Sequence, residues 1–271
     1  VKTMVIGVVN AGGTLSDRWK RSIIEAIKSG LNIASGMHTR LSDVPEILDA
    51  AEKYGVHLYD LRFSNQTFST GKGTKRSGKR LLTVGTDCSV GKKYTALAIE
   101  KAMKENAFKC EFKATGQTGV LIAERGIAID AIVSDFVSGA VEWLSPDNDS
   151  DHWDIIEGQG SLFHPSFAGV SLGLLHGSQP DAIILCHEPT RTNMRGVDTS
   201  IPSIQECIDE NIRLGKLTNP NIKCIGVALN TSDMNADSKE LKSKISKENN
   251  LPCFDPLTDD LSQIIDEIRN I

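Results

Sequence analysis

The sequence predicts an α/β chain, a Rossmann-like N-terminal domain followed by a P-loop NTPase-type parallel-sheet domain. Three observations predict it. Short apolar runs alternate with segments of helical periodicity along the whole length. A glycine-bounded loop ending in lysine, Gly85-Thr-Asp-Cys-Ser-Val-Gly-Lys92, joins one such run to one such segment. Residues 64–80 are polar, glycine-rich and basic, and so read as a linker between two alternating halves. The expected divisions are 1–63, the linker 64–80, and 81–271. The linker's Lys and Arg residues have a second reading, as groups that bear on a phosphate ligand.

In the first half, residues 4–9 read as a strand ending at Asn10-Ala-Gly-Gly13. Ser16 or Asp17 can cap a helix running to Lys28, with Ile23, Ile24 and Ile27 on one face. A short strand is expected at 31–34, a helix at 43–54 and a strand at 56–61. No Gly-x-Gly-x-x-Gly follows a strand, so dinucleotide binding is not expected. The chain opens at Val1 with its first strand already under way, which suggests a fragment or processed start with an upstream piece missing. In the second half, strands are expected at 81–85, 109–114, 153–157, 181–186 and 223–229. Helices are expected at 92–105, 131–144, 202–214, 237–248 and 259–269. Ligands of such sheets gather at the carboxyl ends of the strands.

The loop carries the chemistry. A strand, a glycine-bounded turn and a helix start build a phosphate cradle: backbone N–H groups point inward and the helix terminus adds roughly half a positive charge. Lys92 supplies a full one. The cofactor-binding set is therefore Gly85, Thr86, Asp87, Cys88, Ser89, Val90, Gly91, Lys92, Lys93 and Tyr94. The common form of this loop holds four residues between its glycine and the Gly-Lys pair and places Ser or Thr next. Here five residues intervene and Lys93 follows. In a nucleotide-hydrolysing loop that hydroxyl binds Mg²⁺; a protonated lysine repels it. Thr95 lies more than half a turn further round the helix. Two lysines suit a metal-poor polyphosphate such as that of coenzyme A better than ATP with Mg²⁺.

Bulk numbers exclude other classes. The 271 residues are 39 % hydrophobic and 24 % charged, an ordinary globular composition. A formal charge of −5 offers no basic face for nucleic acid, and no apolar run reaches membrane-spanning length. The six cysteines (Cys88, Cys110, Cys186, Cys207, Cys224 and Cys253) lack metal-ligand spacing and read as free thiols of a reducing cytoplasm. Cys88 sits near a helix N-terminus that would lower its pKa; it is a small loop residue or a nucleophile.

Further candidates lie just beyond the expected strands. Thr115-Gly-Gln-Thr-Gly119 offers Thr115, Gln117 and Thr118 to a substrate, or is simply a turn. Glu157 ends the Asp154-Ile-Ile-Glu-Gly-Gln-Gly160 stretch, followed by His164. After 181–186 come His187, Arg191 and Arg195; paired guanidinium groups suit a substrate carboxylate. Glu157, His187, His164 and Asp135 are the candidates for moving a proton, although a lone histidine is more often structural. Asp130 and Asp135 flank the start of the 131–144 helix and can cap it, bind metal or accept a proton.

Four stretches carry a resemblance: Ser35-Gly-Met-His-Thr-Arg-Leu-Ser-Asp43, Val84-Gly-Thr-Asp-Cys-Ser-Val-Gly-Lys92, Ala114-Thr-Gly-Gln-Thr-Gly119, and Leu174-Leu-His-Gly-Ser-Gln-Pro180 through His187-Glu-Pro189. On them the chain resembles a bacterial and archaeal family that joins a Rossmann-like half to a P-loop half similar to dethiobiotin synthetase. Asp154-Ile-Ile-Glu-Gly-Gln-Gly160 resembles the Glu-Gly-Ala-Gly strand end of that synthetase, where the glutamate helps hold metal. Family members are usually longer at the N-terminus. The resemblance implies an N-acetyltransferase that moves acetyl from acetyl-CoA to an amino acid of the D-glutamate type, in D-amino-acid metabolism, and a homo-oligomer. The rival expectations are a ligase or kinase using ATP with Mg²⁺, its metal held by Glu157 with Asp130 or Asp135, and a non-catalytic nucleotide-sensing protein.

Overall fold

The computed structural model describes residues 1–8, 14–234 and 238–271. Its first 60 residues form a three-stranded parallel sheet in the order β1 (Thr3–Ile6), β2 (Asn32–Ser35), β3 (Leu58–Asp60). Helix α1 (Asp17–Lys28) starts where Ser16 accepts the Trp19 N–H at 3.3 Å, and it buries Ile23 and Ile27. Helix α2 begins later than expected, spanning Pro45–Tyr54. Leu41–Asp43 instead form a short 3₁₀ turn, and the fixed φ of Pro45 suits the first helical position. The strand expected at 4–9 ends at Ile6. Val9 and the turn Asn10-Ala-Gly-Gly13 lie outside the described residues.

The second sheet has six parallel strands ordered β5-β6-β4-β7-β8-β9. In chain order they are β4 (Lys79–Gly85), β5 (Lys109–Lys113), β6 (His152–Ile156), β7 (Ala182–His187), β8 (Lys223–Leu229) and β9 (Cys253–Phe254). From β4 the chain steps outward to β5, returns to β6 beside β4, then crosses to β7 on the other side. The connections diverge at β4, so a crevice opens at its carboxyl end. Because helices cover both faces, β4, β6 and β7 are buried along almost their whole length. Leu81, Ile155 and Ile184 face one core, with α3 (Lys92–Glu105) and α9 (Ser262–Arg269). Leu82, Ile156 and Ile183 face the other, with α5 (Val137–Leu144) and α7 (Ile204–Gly215).

Two helices were invisible to periodicity: α4 (Gln117–Ala123) and α6 (Ala168–Ser178). Glycine and β-branched residues give α4 little intrinsic helicity. In α6 the glycines serve packing. A Cβ on Gly173 would lie 2.5 Å from Val137 Cγ1, and one on Gly177 2.5 Å from the Ser138 carbonyl, so α5 and α6 touch almost backbone to backbone. The helix expected at 131–144 divides into two 3₁₀ turns, at Ile129–Ala131 and Ser134–Phe136, before α5. The last expected helices appear as α8 (Ser238–Asn249) and α9; Asp237, at the expected start of α8, lies outside the described residues.

Between the sheets, residues 64–78 carry neither helix nor strand, yet side chains of the second half hold them. Glu142 of α5 accepts the Lys72 and Gly73 N–H groups, and Arg76 donates to the Ser145 and Gly177 carbonyls at 2.7 Å each. Arg80 on β4 is wholly buried. It donates to Ser145 Oγ at 2.8 Å, to the Pro146 carbonyl at 2.9 Å and to the Ser77 carbonyl at 3.0 Å. Ser145 in turn donates to Asp154 at 2.5 Å. Replacing Arg80 by Met removes every one of those donors while filling the volume. We expect a loss of about 3 kcal/mol or more, measured as a lower urea midpoint at unchanged slope.

Candidate functional site

At the carboxyl edge of the second sheet lies a cleft of about 540 Å³. The loop after β4 forms its middle. One end is lined by Gly116, Gln117, Thr118, Glu157 and Gln159, from the β5 and β6 side. The other is lined by Asn230, Ser232, Asp255, Pro256 and Leu257, from beyond β8 and β9.

Gly91 adopts φ +99° at the N-terminus of α3, a conformation that suits glycine, and Lys92 opens the helix. The Lys92 ammonium is buried and donates to the Asp87 carbonyl at 2.7 Å, folded over its own loop. Burial pulls its pKa below the usual lysine value, against the opposing pull of neighbours that include Asp87 and Glu157. Lys93 lines the cleft with its ammonium 4.8 Å from the Tyr94 ring centre. Thr95 also lines it, but its hydroxyl donates to the Gly91 carbonyl at 3.1 Å. Lys93 occupies the position that carries the Mg²⁺-binding hydroxyl in the common loop.

Glu157 is the one carboxylate of β6's end that faces this cleft, and it is 4 % exposed. One oxygen, Oε2, accepts the N–H groups of Thr115 at 3.0 Å and Gly116 at 3.1 Å. Burial raises its pKa above the usual carboxylate value, outweighing those two bonds and the fields of Lys93 and Lys92. Gly119 of α4 makes room for it, since a Cβ there would overlap Oε2. Gln159 donates to Thr115 Oγ1 at 3.1 Å, and Thr115 itself is wholly buried behind the carboxylate, outside the cleft lining.

The remaining sequence candidates fall into two places. Thr86, Asp87, His164, His187, Arg191 and Arg195 cluster behind the phosphate loop, outside the cleft lining among the described residues. Arg191 pairs with Asp87 at 2.6 Å and with Glu188 at 3.2 Å, and donates to the Cys88 carbonyl at 2.9 Å. Asp87 also accepts the Arg195 N–H at 2.8 Å, and Arg195 donates to Ser89 Oγ at 2.8 Å. The Arg191 guanidinium of the expected clamp is thus turned inward to brace the loop, whereas Arg195 is exposed and its guanidinium touches only Ser89 Oγ. Burial alone would raise the Asp87 pKa, but the bonds from Arg191, Arg195 and Cys88 hold it below the usual value. His164 accepts the Ser166 N–H through Nδ1 at 3.1 Å, so Nε2 carries the proton and donates to the Arg195 carbonyl at 3.1 Å. His187 Nδ1 meets Thr86 Oγ1 at 3.0 Å, and burial lowers its pKa.

Asp130 and Asp135 stand apart from the cleft. Asp130 pairs with Arg62 of the N-terminal half, and Asp135 is exposed in its 3₁₀ turn. Cys88 lines the cleft, but burial and the Asp87 charge push its thiol pKa up, opposite to the expected lowering. That leaves it a small loop residue. Sequence reasoning missed the far end of the cleft. Asn230 follows the expected 223–229 strand directly, so the strand-end rule would have found it. Asp255, Pro256 and Leu257 follow β9, two residues long, which left no pattern to read.

The P-loop domain of the family described as Domain of unknown function DUF1611 matches residues 67–265, and that family's Rossmann-like domain matches residues 1–64. The chain belongs to this family. A D-glutamate N-acetyltransferase of Pseudoalteromonas sp. is 53 % identical over 266 residues, covering 97 % of this chain and 80 % of the relative. Another of the same name, from Tritonibacter scottomollicae, is 45 % identical over 276 residues, covering 100 % and 82 %. The crystal structure of a DUF1611 family protein from Anabaena variabilis superposes with a TM-score of 0.92 at 30 % identity, covering 100 % of this chain and 80 % of that one. No helix among the described residues is long and apolar enough to cross a membrane.

A carboxylate whose folded pKa is raised supplies stability in its protonated form, and that contribution is lost as pH rises through the raised value. Replacing Glu157 by Gln keeps an oxygen for the Thr115 and Gly116 N–H groups and removes the buried charge. The variant should melt higher than the parent above that pKa and equally below it, read from melting temperature against pH.

Proposed function

We propose that this protein is an N-acetyltransferase that moves the acetyl group of acetyl-CoA to the amino group of an amino acid of the D-glutamate type. One observation carries the reading. The residue after the loop lysine is Lys93, a cation at the position where the common loop carries its Mg²⁺-binding hydroxyl. A cradle of two lysines without a hydroxyl at that position fits the phosphates of a coenzyme A thioester. The names and identities of the relatives support the same assignment.

Acetyl-CoA would bring an activated acyl carbonyl and a thiolate leaving group. The backbone N–H groups of residues 89–92 and the ammonium groups of Lys92 and Lys93 would hold its phosphates. Asn230 and the Asp255-Pro256-Leu257 turn would receive the rest of the nucleotide. At the opposite end, Glu157 is the proton acceptor: Oε2 is fixed by two N–H groups, and burial raises its pKa and so strengthens it as a base. It would take the ammonium proton, leaving a free amine to attack the acyl carbon. The new C–N bond forms as the C–S bond breaks, and the departing sulfur leaves as the thiol once protonated. The amide of Gln159 and the Thr118 hydroxyl stand where an acceptor's polar groups would be met.

Calorimetric titration tests the assignment. Acetyl-CoA should bind with the same affinity with and without Mg²⁺; binding of ATP only with Mg²⁺, with no response to acetyl-CoA, would move the reading to a ligase or kinase. Lys92→Ala should weaken acetyl-CoA binding by about 1.5–3 kcal/mol, the worth of a charge-assisted contact. In the acetyl-transfer assay, kcat/KM should fall as pH drops through the raised Glu157 pKa, because protonation removes the base. Glu157→Gln should lose that acid limb and about a hundredfold of rate; an unchanged profile would assign the proton to another group.

A further inference from the structure

The structure leaves the N-terminal half without a task in the donor site, yet it packs on Gln117, a residue of the cleft wall. We propose that it completes the acceptor end of the cleft, with Arg62 as the positioning residue that seats the Gly36 backbone against Gln117. The proposal rests on the acetyltransferase reading and deepens it.

The order of the strands decides which end of the cleft takes the acceptor. The phosphate loop follows the central strand, β4. Glu157 and α4 lie on the β5–β6 side, and Asn230 with Asp255, Pro256 and Leu257 on the β8–β9 side. An amine that gives its proton to Glu157 must sit at the β5–β6 end. The first turn of α4, with Gln117 and Thr118, walls that end.

What backs that wall comes from the other half of the chain. A Cβ built on Gly36 would lie 2.5 Å from Gln117 Cγ and 3.0 Å from Gln117 Cβ. The Gly36 backbone therefore rests directly on the stem of a cleft residue. Its place is set by Arg62, which is 3 % exposed. Arg62 Nε donates to the Gly36 carbonyl at 2.9 Å, and its Nη1 pairs with Asp130, in the 3₁₀ turn after α4. One buried guanidinium thus grips the turn that presses on Gln117 and, at the same time, the chain just beyond α4. The turn itself is stiffened where Ser35 Oγ accepts the Met37 N–H at 3.2 Å, and Met37 is buried. Arg62 is too far round to touch the cleft lining, so it acts through Gln117 and not on substrate. The Ser35–Asp43 stretch, one of the four that carry the family resemblance, gains a role by this arrangement.

Two variants test it. Gly36→Ala removes no bond and only adds a methyl group against Gln117; Arg62→Lys keeps the charge but cannot hold both partners in the same way. In each, the acceptor KM should rise about tenfold while the acetyl-CoA Kd stays within about twofold of wild type, because the displacement falls on one end of the site only. On a Gln117→Ala background, Gly36→Ala should add a clearly smaller rise than in wild type, since the Cγ at 2.5 Å is gone and only the Cβ at 3.0 Å remains. An unchanged acceptor KM in Gly36→Ala, or equal losses of acceptor and acetyl-CoA binding, would overturn the proposal and leave the acetyltransferase reading standing. Wild-type protein that transfers no acetyl group would overturn both.

Discussion

The site depends on how closely the chain leaving β6 crosses the carboxyl end of β4. Gly158 lies on the Thr83 carbonyl so tightly that a Cβ would overlap the oxygen, and it would also come within 3.0 Å of Lys92 Cδ. The Gly158 N–H donates to Thr83 Oγ1 at 2.9 Å, which pins the crossing. Its neighbour in sequence is Glu157, and its neighbour in space is the stem of Lys92. One backbone contact therefore places a buried carboxylate and a buried ammonium on the walls of the same cleft. With any side chain at 158, the two groups would be driven apart.

Electrostatics divides the loop into a working side and a supporting side. On the cleft side, burial disfavours charge on both Lys92 and Glu157. In the proposed reaction a phosphate would favour the charged form of the lysine, and an ammonium would meet a carboxylate whose basicity burial has raised. Behind the loop the signs are satisfied internally. Asp87 is the hub there, bonded by Arg191, Arg195 and Cys88 N–H, and Arg191 is shared with Glu188. A cradle that must hold several N–H groups in one direction needs such bracing. The histidines of that cluster serve it too, with His164 locked between Ser166 and Arg195 and His187 turned to Thr86.

Much of this was legible in the residues. The strands of the second sheet, the loop and its lysine follow from apolar runs and glycine spacing, and Glu157 from its place at a strand end. What escaped had physical reasons. Helix α6 hides behind glycines that exist for contact with α5, so propensity and packing point opposite ways. Arg191 has the right chemistry for a substrate carboxylate, but only coordinates reveal that the carboxylates it meets are Asp87 and Glu188. Gly36 and Arg62 meet Gln117 and Asp130 across a long stretch of chain, and no local pattern encodes such a meeting. The linker composition of 64–80 reflects exposed backbone and charge; the partners of Arg76 and Arg80 are remote in sequence.

Those remote partners bear on how the chain is made. Lys75 pairs with Asp181 at 2.8 Å, and the Arg80 N–H reaches Asp181 across 101 positions of sequence at 2.9 Å. The central strand, β4, is among the first of its sheet to leave the ribosome, but both strands that flank it are synthesised later. Until β7 emerges, the leucines and valine of β4 lack the neighbour on one side. Contacts of such long sequence separation slow folding and prolong exposure of the apolar edge. The same topology that opens a crevice at β4 thus makes nascent chains ending before β7 the ones most in need of a chaperone.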